Sequence, residues 1–223
     1  MRIVPEFMQS AWALVDLNTE AKRWNSERSA GEDIASTNQL LDPLICQQMV
    51  EALHRRLGVA ATYGGYFEWR ENLWAGSYLE RDRKFYHLGV DVNVAAGTAV
   101  AATQAGEVVL VDDDHDLSGG WGPRVIVRLT SGAYGGYFAI YAHLSEVAVQ
   151  PGARLEPGAL FARVGAPPHN GNWFPHLHVQ VVEPRHFEEL SKGGLAALDG
   201  YSSFDSPAVR AAYPDPTFLM GRK

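Results

Sequence analysis

Apolar positions follow two different rhythms along this chain, and the change falls near residue 60. Before it the spacing is helical. The clearest stretch is "DPLICQQMVEALHRRLG", residues 42–58, where Ile45, Met49, Ala52, Leu53 and Leu57 line one stripe. Asp42 suits an N-cap and Pro43 the first helical position. Arg55 and Arg56 complement the C-terminal end of the helix dipole, and Gly58 stops the helix. The stripe predicts a core-packing helix without chemistry. A shorter helix is predicted over residues 6–16, and the polar "NTEAKRWNSERSAGED" (18–33) reads as a loop. After residue 60 apolar and polar residues alternate in short, Val-rich runs: "GVDVNV", "TAVAAT", "GEVVLVDD", "PRVIVRLT", "YFAIYAHL", "EVAVQ", "LFARVG" and "HLHVQVV". Turn signals such as "DLSGGWG", "SGAYGG", "QPG" and "EPG" separate them. The predicted fold is mainly β: an antiparallel sandwich or barrel-like domain over 63–190, with a helical N-terminal segment over 1–62. Residues 191–223 are Pro-rich and read as an irregular tail packed on that domain.

Composition narrows the partners. The 223 residues carry a formal net charge of −7, and no run of Lys or Arg is long enough to hold a phosphate backbone. A nucleic-acid partner is therefore not expected. No stretch approaches the ~20 apolar residues of a membrane span, and Pro5, Glu6, Gln9 and Ser10 interrupt the N-terminus too early for a secretory signal. A cytoplasmic protein is the expectation, and the sequence sets no oligomeric state. Cys46 is the single cysteine, which excludes an internal disulfide and a thiolate zinc cage. Any metal site must be built from His, Asp or Glu.

Four histidines fall in strand-like contexts: His87, His143, His176 and His178. In "PHLHVQV" alternation sends His176 and His178 to one face, about 7 Å apart along the strand, and Leu177 and Val179 to the other. In "YHLGVD" His87 and Asp91 would stand roughly 13 Å apart on a straight strand, too far to share one ion. The chain must bend between them, and Gly89 permits it. In "IYAHLS" the same alternation puts His143 on the face of Tyr141. Each of these motifs alone is compatible with ordinary sheet histidines.

Taken in order, "HLGVD", "YAHLS" and "PHLHVQV" resemble the lysostaphin or LytM-type zinc metallopeptidases, over roughly residues 83–183. The resemblance implies a duplicated hybrid motif fold and a zinc-dependent hydrolase acting on a peptide substrate, with one zinc per chain. It makes His87, Asp91 and His178 the metal ligands and His143 and His176 the catalytic pair. Two imidazoles and a carboxylate leave a tetrahedral zinc with one open position. The stretch "GAPPHNGNWFPHLH" departs from the commoner members and, with a later "PDP", is similar to modules fused to class III aminotransferases. With neither an export signal nor a wall-binding module in view, the substrate is read as either peptidoglycan-type or a small intracellular peptide. A non-catalytic binding or regulatory domain retaining the fold is the alternative. A related phosphocarrier is disfavoured, because Asp91 would repel a phosphohistidine.

The remaining candidates read as ordinary structure. His54 is expected on a solvated helix face, His115 in an exposed acidic loop, and His186 in a structural position. His169 and Asn170 approach the cleft, and Trp121, Trp173 and Phe174 are candidates for its walls. Glu68, Arg70, Glu71, Arg81 and Arg83 read as a charged, solvated face.

Overall fold

A computed structural model describes residues 2–7, 9–29, 38–194 and 198–221. The N-terminal segment runs β1 (Trp12–Val15), α1 (Leu17–Ser29), a 3-10 turn at Gln39–Leu41, and α2 (Pro43–Leu57). Next come β2 (Ala61–Gly64) and two single-turn helices, α3 (Glu71–Trp74) and α4 (Tyr78–Arg81). The β region then supplies β3 (Tyr86–His87), β4 (Val90–Asn93), β5 (Ala99–Ala101), β6 (Gly106–Asp114) and β7 (Gly122–Leu129). It continues with β8 (Phe138–Ala142), β9 (Leu144–Ser145), β10 (Arg154–Leu155), β11 (Leu160–Val164) and β12 (Leu177–Val182). The chain ends through α5 (Pro184–Lys192), β13 (Tyr201–Ser202), α6 (Pro207–Ala212) and a 3-10 turn at Pro216–Met220.

Eight strands form one sheet in the order β1-β2-β4-β12-β8-β7-β6-β10, and β5-β11-β9 form a second. Every pairing in these sheets is antiparallel except β1 with β2. The main core sits between the two sheets. Val90, Val92, Val125, Val127, Leu177 and Val179 of the large sheet meet Val100, Phe161 and Val164 of the small one. The opposite face of the large sheet is covered by α5 and the C-terminal segment, through Phe187, Leu198 and Tyr213. A separate helical core joins α1, α2 and α3. No helix among the described residues is long and apolar enough to cross a membrane.

The predicted helix at 42–58 forms over 43–57: Asp42 caps Leu44 and Ile45, and Gly58 closes the helix at φ 65°, a left-handed conformation natural to glycine. Two other N-terminal expectations fail for physical reasons. Within 6–16 the chain makes β1, because "WALV" finds a parallel partner in "ATYG" of β2. Tertiary pairing there overrides a weak helical rhythm. The polar segment from residue 18 is not a loop, since residues 17–29 form α1. Leu17, Ala21 and Trp24 make a narrow buried stripe at i, i+4 and i+7, and Arg23 bridges Glu20 and Glu27 on the wet side. Residues 30–33 of that expected loop lie outside the described residues. "EVAVQ" forms no strand: Val147 and Val149 pack against the core without a ladder. The C-terminal segment is more ordered than an irregular tail, since β13 pairs with β3 and α6 follows.

Leu53 on α2 is 1% exposed within the helical core. Leu53→Ala is expected to lower the unfolding free energy by about 2–5 kcal/mol in urea titrations. A change within ~0.5 kcal/mol would mean that α2 is not packed as described.

Candidate functional site

The site is set by the register of β12 with its two neighbours. His178 stands directly opposite Asp91 of β4 on one side and Ala142 of β8 on the other. Opposed residues in a sheet point the same way, so the two side chains share a face. Leu177, Val179 and Val181 point into the main core, which leaves His176, His178 and Gln180 on the opposite face as alternation predicts.

His87 reaches the same point because the chain turns at Leu88 and Gly89 between β3 and β4, as the spacing required. The reason for glycine lies in space rather than in dihedral angle. A Cβ at residue 89 would lie 2.6 Å from the Val179 carbonyl oxygen and 2.7 Å from Cε1 of His178. His143 differs from its expected setting. It interrupts the strand between β8 and β9 in a left-handed conformation, φ 61°. Tyr141 points into the core against Phe161, so the two do not share a face. A non-glycine residue in that region is strained, and its neighbours hold it there. The His143 amide donates to the Trp121 carbonyl and its own carbonyl accepts from Gly165.

These elements bring all five expected residues together, each 7% exposed or less. His87 Nε2 lies 3.0 Å from His178 Nδ1 and 3.4 Å from Asp91 Oδ1, and His178 Nδ1 lies 3.0 Å from the same oxygen. Donors held by a tetrahedral zinc at about 2.0–2.1 Å stand roughly 3.3–3.4 Å from one another. The triangle is therefore within a few tenths of an ångström of that geometry, and the residues fit a zinc ion. His176 Nε2 comes within 3.6 Å of Asp91 Oδ1, and the rings of His143 and His176 are 4.5 Å apart.

Backbone carbonyls fix the tautomers of that last pair. A carbonyl can only accept, so His143 Nδ1–H donates to Asn170 (2.8 Å) and His176 Nδ1–H to Phe174 (2.7 Å). In the neutral rings Nε2 is left as a bare acceptor on both. On His178, with Nδ1 toward the triangle, Nε2–H is left to donate to Gln180 Oε1 at 3.1 Å. Gln180 donates in turn to the Asp199 carbonyl. Such outer partners orient ligating imidazoles.

Arg70 is the functional residue that the sequence conceals. Instead of a solvated face it is fully buried, with Nη1 on Asp91 Oδ2 and Nε on Glu68 Oε2 at 2.7 Å. Glu68 is buried too and accepts from the Leu17 amide, whereas Glu71, Arg81 and Arg83 are exposed as expected. Residues 67–70 run beside 85–87, with His87 donating to the Glu68 carbonyl and Arg70 to that of Phe85, which carries the guanidinium inward. The structure also adds Tyr201, whose hydroxyl accepts from Trp74 Nε1 (2.7 Å) and Arg70 Nη1 (3.3 Å). Gln180 was detectable as the next residue on the His176–His178 face; Arg70 and Tyr201 left no local signal.

Among the other candidates, Asn170 is buried and positions His143, while His169 is exposed. Trp121 and Trp173 line the cleft, and Phe174 belongs to the helical core. His54 is half-buried on Thr62, not solvated. His115 is exposed, and His186 meets the Tyr213 hydroxyl.

Burial depresses the basicity of His87, His143 and His176, reinforced by Arg70 for His87 and by neighbouring imidazoles for His143. For Asp91 burial works against ionisation, but His87, His176 and Arg70 outweigh it and hold the carboxyl well below its usual range. The cleft thus favours the neutral forms of His87, His143 and His176 beside an ionised carboxylate.

Residues 85–189 match the model of Peptidase family M23. No curated protein sequence matches the chain. Solved structures similar to it include an M23 peptidase-like protein of Pseudomonas aeruginosa: 26% identity, 60% of this chain, 44% of that one, TM-score 0.39. The catalytic domain of lysostaphin from Staphylococcus simulans is another: 22% identity, 62% and 81% of the two chains, TM-score 0.41. A zinc-containing peptidase of Vibrio cholerae is a third: 25% identity, 44% and 27%, TM-score 0.34. The chain spans less than half of the Pseudomonas and Vibrio proteins.

Two outcomes follow from the packing. Gly89→Ala forces a methyl onto the His178 ring and the Val179 carbonyl, and is expected to cost about 1–3 kcal/mol in thermal melts while weakening metal binding. Wild-type melting together with wild-type metal affinity would contradict the close approach. Histidines whose folded pKa lies below the unfolded ~6.5 bind more protons when unfolded, so they stabilise least in acid. Metal-free protein should therefore lose stability as pH falls below about 6.5, by up to about 1.4 kcal/mol per affected histidine per pH unit. A melting temperature that stays level from pH 7.5 to 5.5 would show these imidazoles to be solvated.

Proposed function

We propose that the chain, whose residues 85–189 match the model of Peptidase family M23, is a zinc-dependent metallopeptidase that hydrolyses a peptide bond with an activated water. His87, Asp91 and His178 hold one zinc ion, and His143 and His176 are the catalytic pair. The observation that carries this reading is the donor triangle of 3.0, 3.0 and 3.4 Å. Zinc held there supplies Lewis acidity, which polarises a peptide carbonyl and acidifies water toward neutral pH.

The chain's own residues supply the rest. Nε2 of His143 or His176 takes the proton from the attacking water and returns it to the leaving amine. The same imidazoles, once protonated, face the charge that develops on the carbonyl oxygen. Burial keeps both rings neutral beforehand, which is the form a general base needs. Asn170 and Phe174 hold them in the required tautomer. Arg70 occupies Oδ2 of Asp91, so that Oδ1 alone faces the ligand triangle. The substrate is a peptide, either of the peptidoglycan type or a small intracellular one.

Purified protein should contain about one zinc per chain. His178→Ala should lose it, and His176→Ala should keep it while peptide hydrolysis falls by about 10²–10⁴-fold. Equal metal content in wild type and His178→Ala would remove the assigned site. Zinc binding without hydrolysis of oligoglycine, cross-linked wall peptides or dipeptides would assign the non-catalytic role instead. Arg70→Met should weaken zinc affinity by about 10–100-fold in chelator competition, the usual scale for outer-sphere partners. An unchanged affinity would reduce Arg70 to a packing role.

A further inference from the structure

The cleft over the histidines, about 220 Å³, does not end at its own walls. It adjoins a second cavity of roughly 330 Å³, and the two share Trp74, Tyr78, Ser118, Gly119 and Trp173 as lining. The partition is pinned. Trp74 and Trp173 meet edge to face at 4.7 Å, Trp74 Nε1 donates to Tyr201 and Trp173 Nε1 donates to the Gly120 carbonyl. The far wall comes from Leu40, Leu41, Pro43 and Cys46, all outside residues 85–189. Asn38 fixes that wall: its Oδ1 accepts from the Leu40 amide while its Nδ2 donates to the carbonyls of Leu73 and Ala75.

The two chambers differ in chemistry. Asp91, Asp114, Asp116 and Asp199 face the histidine cleft, whereas among the described residues no charged side chain lines the second cavity. Tyr78 and Leu117, both about half exposed, stand at its rim. A charged group placed inside would be desolvated without a partner, while an apolar one would find aromatic and aliphatic walls. A glycine residue would leave most of this volume empty.

Resting on the metallopeptidase reading, we infer that the annex is a specificity subsite for a bulky apolar side chain, of leucine or phenylalanine size, flanking the bond to be cut. The occupant is the substrate itself, because the annex lies directly beside the histidine cleft and shares five lining residues with it. The family-matched segment supplies one side of this subsite and the N-terminal segment the other. The preferred peptide therefore carries a large apolar residue and is not a run of glycine.

The test separates binding from chemistry. Zinc-loaded protein is titrated calorimetrically with N-acetylphenylalaninamide, N-acetylleucinamide and N-acetylglycinamide, none of which contains a bond between two residues. The first two should bind about tenfold or more tightly than the glycine compound, the scale on which apolar pockets discriminate. Leu117→Asp, on the exposed rim, and Leu41→Asp, on the N-terminal wall, should each abolish that difference. In hydrolysis, blocked tetrapeptides containing one Phe should exceed tetraglycine about tenfold in kcat/KM, and both variants should erase the excess through KM. Equal affinity for the three amides, or a Phe preference unchanged in both variants, overturns the subsite. Hydrolysis that favours tetraglycine overturns it as well and leaves the metallopeptidase reading intact. Discrimination among the amides without hydrolysis of any peptide supports the subsite and overturns the hydrolase.

Discussion

Asp91 is claimed from two sides, and the rest of the site is arranged around that fact. One oxygen faces three imidazoles and the other is held by a guanidinium with no access to water. A buried carboxylate with only neutral neighbours would gain a proton and lose its use as a ligand. Arg70 joins His87 and His176 in keeping it ionised, and Glu68 in turn balances Arg70. A buried ion pair is weak evidence for stability, because desolvation offsets much of the attraction. Its value here is orientation: Oδ1 is turned toward the histidines and Oδ2 away from them. The bend at Gly89, the register of β12 on β4 and the antiparallel run of residues 67–70 beside β3 all serve this one placement.

What could be read from the sequence follows from how local each signal is. Period-2 alternation placed His176 and His178 on one face, and a distance argument required the break between His87 and Asp91. Both rest on strand geometry alone, and both describe the fold. The same reasoning failed for His143, whose left-handed backbone breaks the alternation that put it beside Tyr141. Strand content was legible in most of the Val-rich runs flanked by turn residues. It failed in "EVAVQ", where apolar residues pack without a ladder, and in "WALV", whose partner lies some fifty residues onward. Helix α1 is hard to read because its buried stripe of Leu17, Ala21 and Trp24 is too narrow to stand out from a polar loop.

Arg70 marks the boundary of such reading. A buried arginine and a solvated one look alike in a run containing Glu68, Glu71, Arg81 and Arg83. What separates them is a contact across 21 residues of chain, to Asp91. Tyr201 is hidden in the same way, since it reaches the site through the pairing of β13 with β3. The histidines announce themselves by motif, whereas the groups that tune them come from stretches without one.

The site is therefore no portable cassette. The family-matched stretch begins at residue 85 and ends at 189, yet the counter-ion of its carboxylate enters at residue 70 and the phenol beside it at residue 201. One margin of the large sheet, β1 and β2, is supplied from before that stretch as well. Cutting the protein to its recognisable centre would keep the four histidines of the site and expose β4, leaving Asp91 without its guanidinium partner. The flanking segments and the motif form one electrostatic unit, so that neither can be exchanged without the other.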